Sequence, residues 1–140
     1  MKYRLQINNR ISEISRLEDL MQELENRNNL TERLLHEVNL IIEELVSNTI
    51  LYGYPVEEEN KHHIDIEIIV SRKSLRIHIS DDAFPFNPLE SGLKESNKAK
   101  EISEVNVGGL GLGLVGYYSD EIKYAYLQNR NHIWIVKYFT

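Results

Sequence analysis

Residues Val107 to Val115 read VGGLGLGLV, with glycine at 108, 109, 111 and 113. A glycine inside a helix or strand costs about 0.5–1 kcal/mol relative to alanine, so this density does not serve regular structure. Two readings fit it. One is a mobile linker or a helix cap. The other is bare backbone whose N–H groups approach an anion, followed by a helix whose N-terminus adds its positive dipole. Leu110, Leu112, Leu114 and Val115 interrupt the glycines with groups that want burial, which favours a segment docked on a core. Phosphate is the anion that suits such a cradle.

Downstream, the chain predicts a helix of two to three turns ending at Ser119. A hairpin follows, from Ile122–Leu127, a turn at Gln128–Asn131 and Ile133–Phe139, rich in aromatic and β-branched residues. Trp134, Tyr138 and Phe139 are expected as sheet and core residues. Upstream, Leu89–Asn106 is dominated by Ser, Lys, Glu and Asn, and the stretch of about 89–107 is expected as a mobile lid, or as an insertion without a role. Before it, AFPFNP at Ala83–Pro88 has two prolines that forbid regular structure and two phenylalanines that need contacts, a stiff packed loop.

Ile64–Val70 and Leu75–Ser80 alternate apolar with polar residues around a short link at Ser71–Ser74, a second hairpin. Continuing the parity of its second strand puts Asp81 on the side of Leu75, Ile77 and Ile79, and Asp82 on the other. The alternative for Asp81 is a turn residue that caps its own backbone.

Leu34, Leu35, Val38, Ile41, Ile42, Leu45, Val46 and Thr49 recur at helical spacing, predicting a helix over about Thr31–Tyr52 with one broad apolar arc. Glu37, Glu44 and Asn48 fall within about 40° of one another at the edge of that arc. Either Glu44 and Asn48 flank the core and reach water by their stems, or they do chemistry. Tyr52-Gly53-Tyr54-Pro55 is a stop signal, with a glycine able to take φ > 0. Ile11 to Leu24 predicts an earlier amphipathic helix running to about Glu25, and Tyr3–Ile7 a short edge strand.

A chain of 140 residues holds one core, taken as a single domain over 1–140. It has no cysteine, hence no disulfide and no thiolate site. The net charge of -6 disfavours nonspecific nucleic-acid binding. No apolar run approaches the roughly 20 residues of a membrane span, and the cytoplasm is the expected location. Helices over two antiparallel hairpins give an α+β class: a two-layer α/β sandwich whose mainly antiparallel sheet is covered on one face.

The order of these motifs is a helical ELVSN, a strand ending DDA, a polar loop and GGLGLGL opening a helix. It resembles the Bergerat-type ATP-binding fold of gyrase, MutL and the histidine kinases, the GHKL superfamily. DDAFPFNP and GGLGLGLVGYYSDEIKY look most like the anti-sigma-factor serine/threonine kinases, the RsbW-like group. The resemblance implies ATP (or ADP) and Mg²⁺ as ligands, with Glu44 as the catalytic base and Asn48 as the magnesium ligand. Asp81 would accept from the adenine amino group beside Ala83. Gly109, Leu110, Gly111, Leu112 and Gly113 would surround the phosphates. It further implies two partners, a sigma factor and a STAS-type anti-anti-sigma protein, and a possible homodimer, with no direct nucleic-acid or membrane contact.

Three positions depart from the family pattern. Ala83 stands where relatives commonly have glycine, Tyr52 where many have histidine, and Asn106-Val107 where a basic residue often precedes the glycines. These departures favour nucleotide binding over efficient transfer. The function that the resemblance implies is an ATP-binding anti-sigma factor with serine/threonine protein kinase activity. The alternatives are a nucleotide-binding interaction module with little phosphoryl transfer, and an ATP-hydrolysing module of a larger sensor.

Overall fold

The computed structural model describes residues 1–91 and 112–139. Among these residues five strands form one antiparallel sheet: β1 Lys2–Asn8, β2 His63–Val70, β3 Ser74–Asp81, β4 Glu121–Leu127 and β5 Arg130–Tyr138, in the order β1-β2-β3-β5-β4. Three helices are described, α1 Arg16–Arg27, α2 Glu32–Tyr52 and α3 Leu112–Tyr118. Their buried faces cover one side of the sheet, giving the expected two-layer α+β sandwich. None of the described helices is long and apolar enough to cross a membrane.

Alternation dictates the core. Leu5 pairs with Ile66, Ile66 with Ile79, and Ile79 with Ile133, while Ile68, Ile77 and Ile135 make a second cross-strand row. Cross-strand β-branched pairs of this kind stabilise a sheet as neighbouring residues one turn apart stabilise a helix. Onto these rows α2 lays Leu34, Leu35, Val38, Ile41, Ile42, Leu45 and Val46, all buried. Thr31 caps α2 by accepting from the Leu34 N–H at 3.1 Å, satisfying one of the four donors that a helix start leaves unpaired.

The first helix begins later than its spacing predicts. Ile11–Ser15 is a 3-10 turn, and the α-helix proper starts at Arg16. The tighter turn brings Glu13 back to β1, where it accepts from the Asn8 N–H at 3.0 Å and from Arg16 at 3.1 Å. The last turn also differs from expectation. Gln128 and Asn129 both have positive φ, 52 and 63°, the signature of a two-residue hairpin turn whose twist matches its strands. The strand therefore restarts at Arg130, and Asn131 lies inside it.

Two of the aromatic residues expected in the core lie elsewhere. Trp134 sits on the uncovered face, stacked with His78 and His132 at ring distances of 5.1 and 5.5 Å, and Tyr138 is 55% exposed. Phe139 packs against the core. The inward position beside Ile135 is taken instead by Lys137.

Lys137 is buried, bonded to Glu37 of α2 at 2.8 Å and to the Tyr118 carbonyl that ends α3. Burial acts to raise the Glu37 pKa, but its hydrogen bonds from Lys137 and Arg33 overcome that and hold it below the ordinary range. A buried ion pair that loses one partner costs ~3–5 kcal/mol. Arg33 stays with Glu37 at 3.1 Å, so Lys137→Ala is expected to destabilise the fold by about 2 kcal/mol, read from equilibrium denaturation. Lys137→Arg should recover part of that loss.

Candidate functional site

A cavity of about 220 Å³ opens where the C-terminal half of α2, the end of β3, the start of α3 and the β4–β5 hairpin meet. Asn48, Thr49, Tyr52 and Gly53 line it from the helix side, and Asp81 and Ala83–Phe86 from the end of β3. Leu112 closes it from α3, and Tyr124, Asn131 and Ile133 from the hairpin. Asn48, Asp81, Ala83 and Leu112, each singled out from sequence, thus face one space. Gly113 is buried in α3. Gly109, Leu110 and Gly111 lie outside the described residues, as do Asn106, Val107 and all of the lid stretch beyond Ser91.

Asp81 satisfies both of its sequence readings at once. It pairs across the sheet with Ile64 and Asn131, on the core face and 5% exposed. Its Oδ1 also accepts from the Ala83 N–H at 3.1 Å, a local turn bond, and from Asn131 Nδ2 at 3.0 Å. Burial raises the Asp81 pKa above its ordinary value, and the bonds from Asn131 and Ala83 lower it only in part. A partly desolvated carboxylate at a cavity wall is a strong acceptor for a ligand N–H.

Asn131 is the residue that sequence reading missed. Its Nδ2 faces Asp81 Oδ1, the Ala83 carbonyl at 3.2 Å and the Phe84 carbonyl at 3.0 Å. Its Oδ1 accepts from the Phe86 N–H at 3.1 Å and from the Tyr124 hydroxyl. A flipped amide would set its NH₂ against the Phe86 N–H donor, so the orientation is fixed by its surroundings. The signal was available: a two-residue turn at Gln128-Asn129 puts Asn131 on the parity of Ile133.

These bonds hold the loop after β3 in place, yet Phe84 and Phe86 are 63 and 47% exposed, contrary to the packed loop expected. They line the cavity with open faces, and Tyr52 stands exposed on the opposite side. Planar aromatic walls held on a proline-stiffened loop suit a flat heterocyclic ligand.

Gly53 ends α2 for a reason other than the one expected. Its φ is -89°, so no left-handed conformation is involved. A Cβ there would lie 2.6 Å from the Thr49 carbonyl oxygen and 2.8 Å from the Ala83 methyl. The bare Gly53 backbone accommodates the Ala83 side chain, and Phe84 N–H donates to the Gly53 carbonyl at 3.1 Å. Gly53→Ala is therefore expected to push the helix end and the loop apart. Overpacking of this kind costs about 1–3 kcal/mol, and a lowered denaturation midpoint should accompany weaker ligand binding.

Glu44 lies one turn before Asn48 on α2 and is partly buried; its chain neighbour Leu45 lines the cavity, and Glu44 does not. Burial raises its pKa, and the neighbouring Glu43 carboxylate raises it further. Glu37, on the same helix edge, is the structural one of the pair, because Lys137 neutralises it.

None of the curated proteins compared with the chain matches it. The sequence model of the histidine kinase-like ATPase domain matches residues 7–137. That span runs from Ile7 in β1 to Lys137 in β5 and contains each element that builds the cavity, so this chain belongs to the histidine kinase-like ATPase domain family.

Proposed function

We propose that the chain binds ATP in the cavity between α2, β3 and β5 and acts as an anti-sigma factor with serine/threonine protein kinase activity. Its protein substrate is a small STAS-type antagonist, and its other partner is a sigma factor. The observation that carries the nucleotide reading is the convergence of Asn48, Asp81 and Leu112, from three distant segments, on one aromatic-walled cavity. Membership of the ATPase domain family supports it. The kinase and its partners rest on the likeness of DDAFPFNP and GGLGLGLVGYYSDEIKY to the anti-sigma kinases.

In this reading Asp81 accepts from the exocyclic amino group of adenine, and Phe84 and Phe86 flank the base. Asn48 offers a hard amide oxygen at the cavity wall. Magnesium takes one or two protein ligands and completes its shell with water and phosphate oxygens, so this donor fits. When bound, the ion neutralises charge on the phosphates. Glu44 takes the proton from the attacking serine or threonine hydroxyl, as a base whose pKa is raised by burial and by Glu43. Phosphoryl transfer needs mainly positioning and charge neutralisation, and this set supplies both.

Calorimetric titration with ATP and ADP, with and without Mg²⁺, tests the nucleotide reading, and no binding at millimolar nucleotide would sink it. Labelled ATP mixed with the protein and its antagonist should label the antagonist on serine or threonine. Tight ATP binding with no transfer would leave the interaction module as the function, a reading that the exposed Tyr52 at the cavity mouth favours.

A further inference from the structure

Behind the loop that walls the cavity lies a cluster that takes no part in the proposed transfer. The two nitrogens of His62 face two carboxylates, Nδ1 to Asp82 Oδ2 at 2.9 Å and Nε2 to Glu58 Oε1 at 2.6 Å. The Tyr54 hydroxyl donates to Asp82 Oδ1 at 2.9 Å, and its ring stacks on the His62 imidazole at 4.7 Å. Buried Asn9 sets the segment: it accepts from the His62 N–H at 2.9 Å and donates to the Glu58 carbonyl at 3.0 Å. Three segments meet at one ring: the chain just after α2 through Tyr54, the turn before β2 through Glu58, and the loop after β3 through Asp82.

A neutral imidazole has one N–H and one lone pair, so it can donate to only one of two facing carboxylates. The observed geometry is that of the doubly donating imidazolium. Asp82 sits between Asp81 and Ala83 in the chain, and Tyr54 follows Gly53. The clamp therefore joins the two sides of the cavity wall at the positions next to the residues that touch each other there. We propose that His62 is a positioning residue whose proton clamps the base-binding end of the cavity, so that nucleotide affinity is coupled to its protonation. This inference rests on the nucleotide reading given above.

The groups facing His62 all act in one direction. Hydrogen bonds from Glu58 and then Asp82 raise its pKa above the ordinary 6.5, against a smaller opposing effect of burial. For Asp82, burial acts upward, but its bonds with His62 and Tyr54 prevail and lower its pKa. Tyr54 is raised by burial and by the adjacent Asp81 and Asp82, and so stays a neutral donor. A folded-state pKa above the unfolded value means the clamp is complete below about pH 6.5 and is lost as pH rises through the raised value. Once the proton is lost, the single remaining N–H can serve only one of Glu58 and Asp82, and the bond that remains loses its charge assistance.

The test is calorimetric titration with ADP and Mg²⁺ from pH 6 to pH 9, on wild type and His62→Gln. Ionisation of the nucleotide is common to both proteins. Wild-type affinity should fall about threefold more than that of the variant across this range. Equal pH dependence in the two proteins would overturn the coupling and leave the nucleotide reading standing. Absence of ADP binding at every pH would overturn the nucleotide reading, and the coupling with it. Should His62→Gln fail to fold, NMR titration of the wild-type His62 imidazole serves instead. By reciprocity ADP should raise its pKa, and a pKa unmoved by saturating ADP would overturn the proposal.

Discussion

Asp81→Asn should raise the thermal stability of the free protein while weakening ATP binding about 100-fold, or ~3 kcal/mol. The two effects have one cause. The Asp81 pKa is raised by burial, so the folded chain holds this proton more tightly than the unfolded chain does. Wild-type stability therefore declines as pH rises from the unfolded value of about 3.9 through the raised one, above which the full cost of the buried charge is present. An asparagine removes that charge and keeps the oxygen that accepts from Ala83 N–H and Asn131 Nδ2. Its NH₂ then replaces the other carboxylate oxygen and meets the adenine amino group donor to donor. A gain of about 1 kcal/mol, some 3–5 °C in melting temperature, is expected at pH 7. Unchanged ATP affinity would show that the base does not lie against Asp81.

Glu44→Ala is expected to cut phosphoryl transfer by about 10²–10⁴-fold, the range usual for a lost general base. Glu44 does not line the cavity, so ATP affinity should stay within about threefold of wild type. The base acts ionised, and its pKa is raised by burial and by Glu43. The rate should thus climb with pH through a value above the ordinary 4.5 and then level, and Glu43→Gln should move that limb downward. If sigma-factor regulation in cells survives Glu44→Ala, transfer is not the output of this protein. If it collapses while ATP still binds, the interaction-module reading falls.

Much of this architecture is written in periodicity. The spacing of Leu34 to Val46 marks the buried arc of α2, and alternation in β2 and β3 marks their covered face. The same parity aims Asp81 inward, because a side chain's face depends only on its own strand. What escaped reading depends on distant partners or on single dihedrals. Two positive φ values at Gln128 and Asn129 shift the turn and carry Asn131 into the cavity. Lys137 has inward parity next to Ile135, but its burial makes sense only with Glu37 and the Tyr118 carbonyl, which lie far away in the chain. Gly53 reads as a helix stop, whereas its missing side chain is explained by Ala83 pressing from another segment. Phe84 and Phe86 read as rings packed within a stiff loop because composition alone does not distinguish a ring facing protein from one left open toward a ligand.

The sheet order has a consequence for the time course of synthesis. β5 follows β4 in the chain and yet pairs between β3 and β4. While the nascent chain has emerged only through the loop after β3, that strand presents an unpaired edge, and Asp81 has its local partner Ala83 but not Asn131. The β4–β5 hairpin has to zip at its tight turn and then dock sideways on β3 as a unit. During translation the cavity is thus among the last parts to form, and a ribosome stalled before residue 130 would hold an exposed strand edge, prone to pairing with another chain.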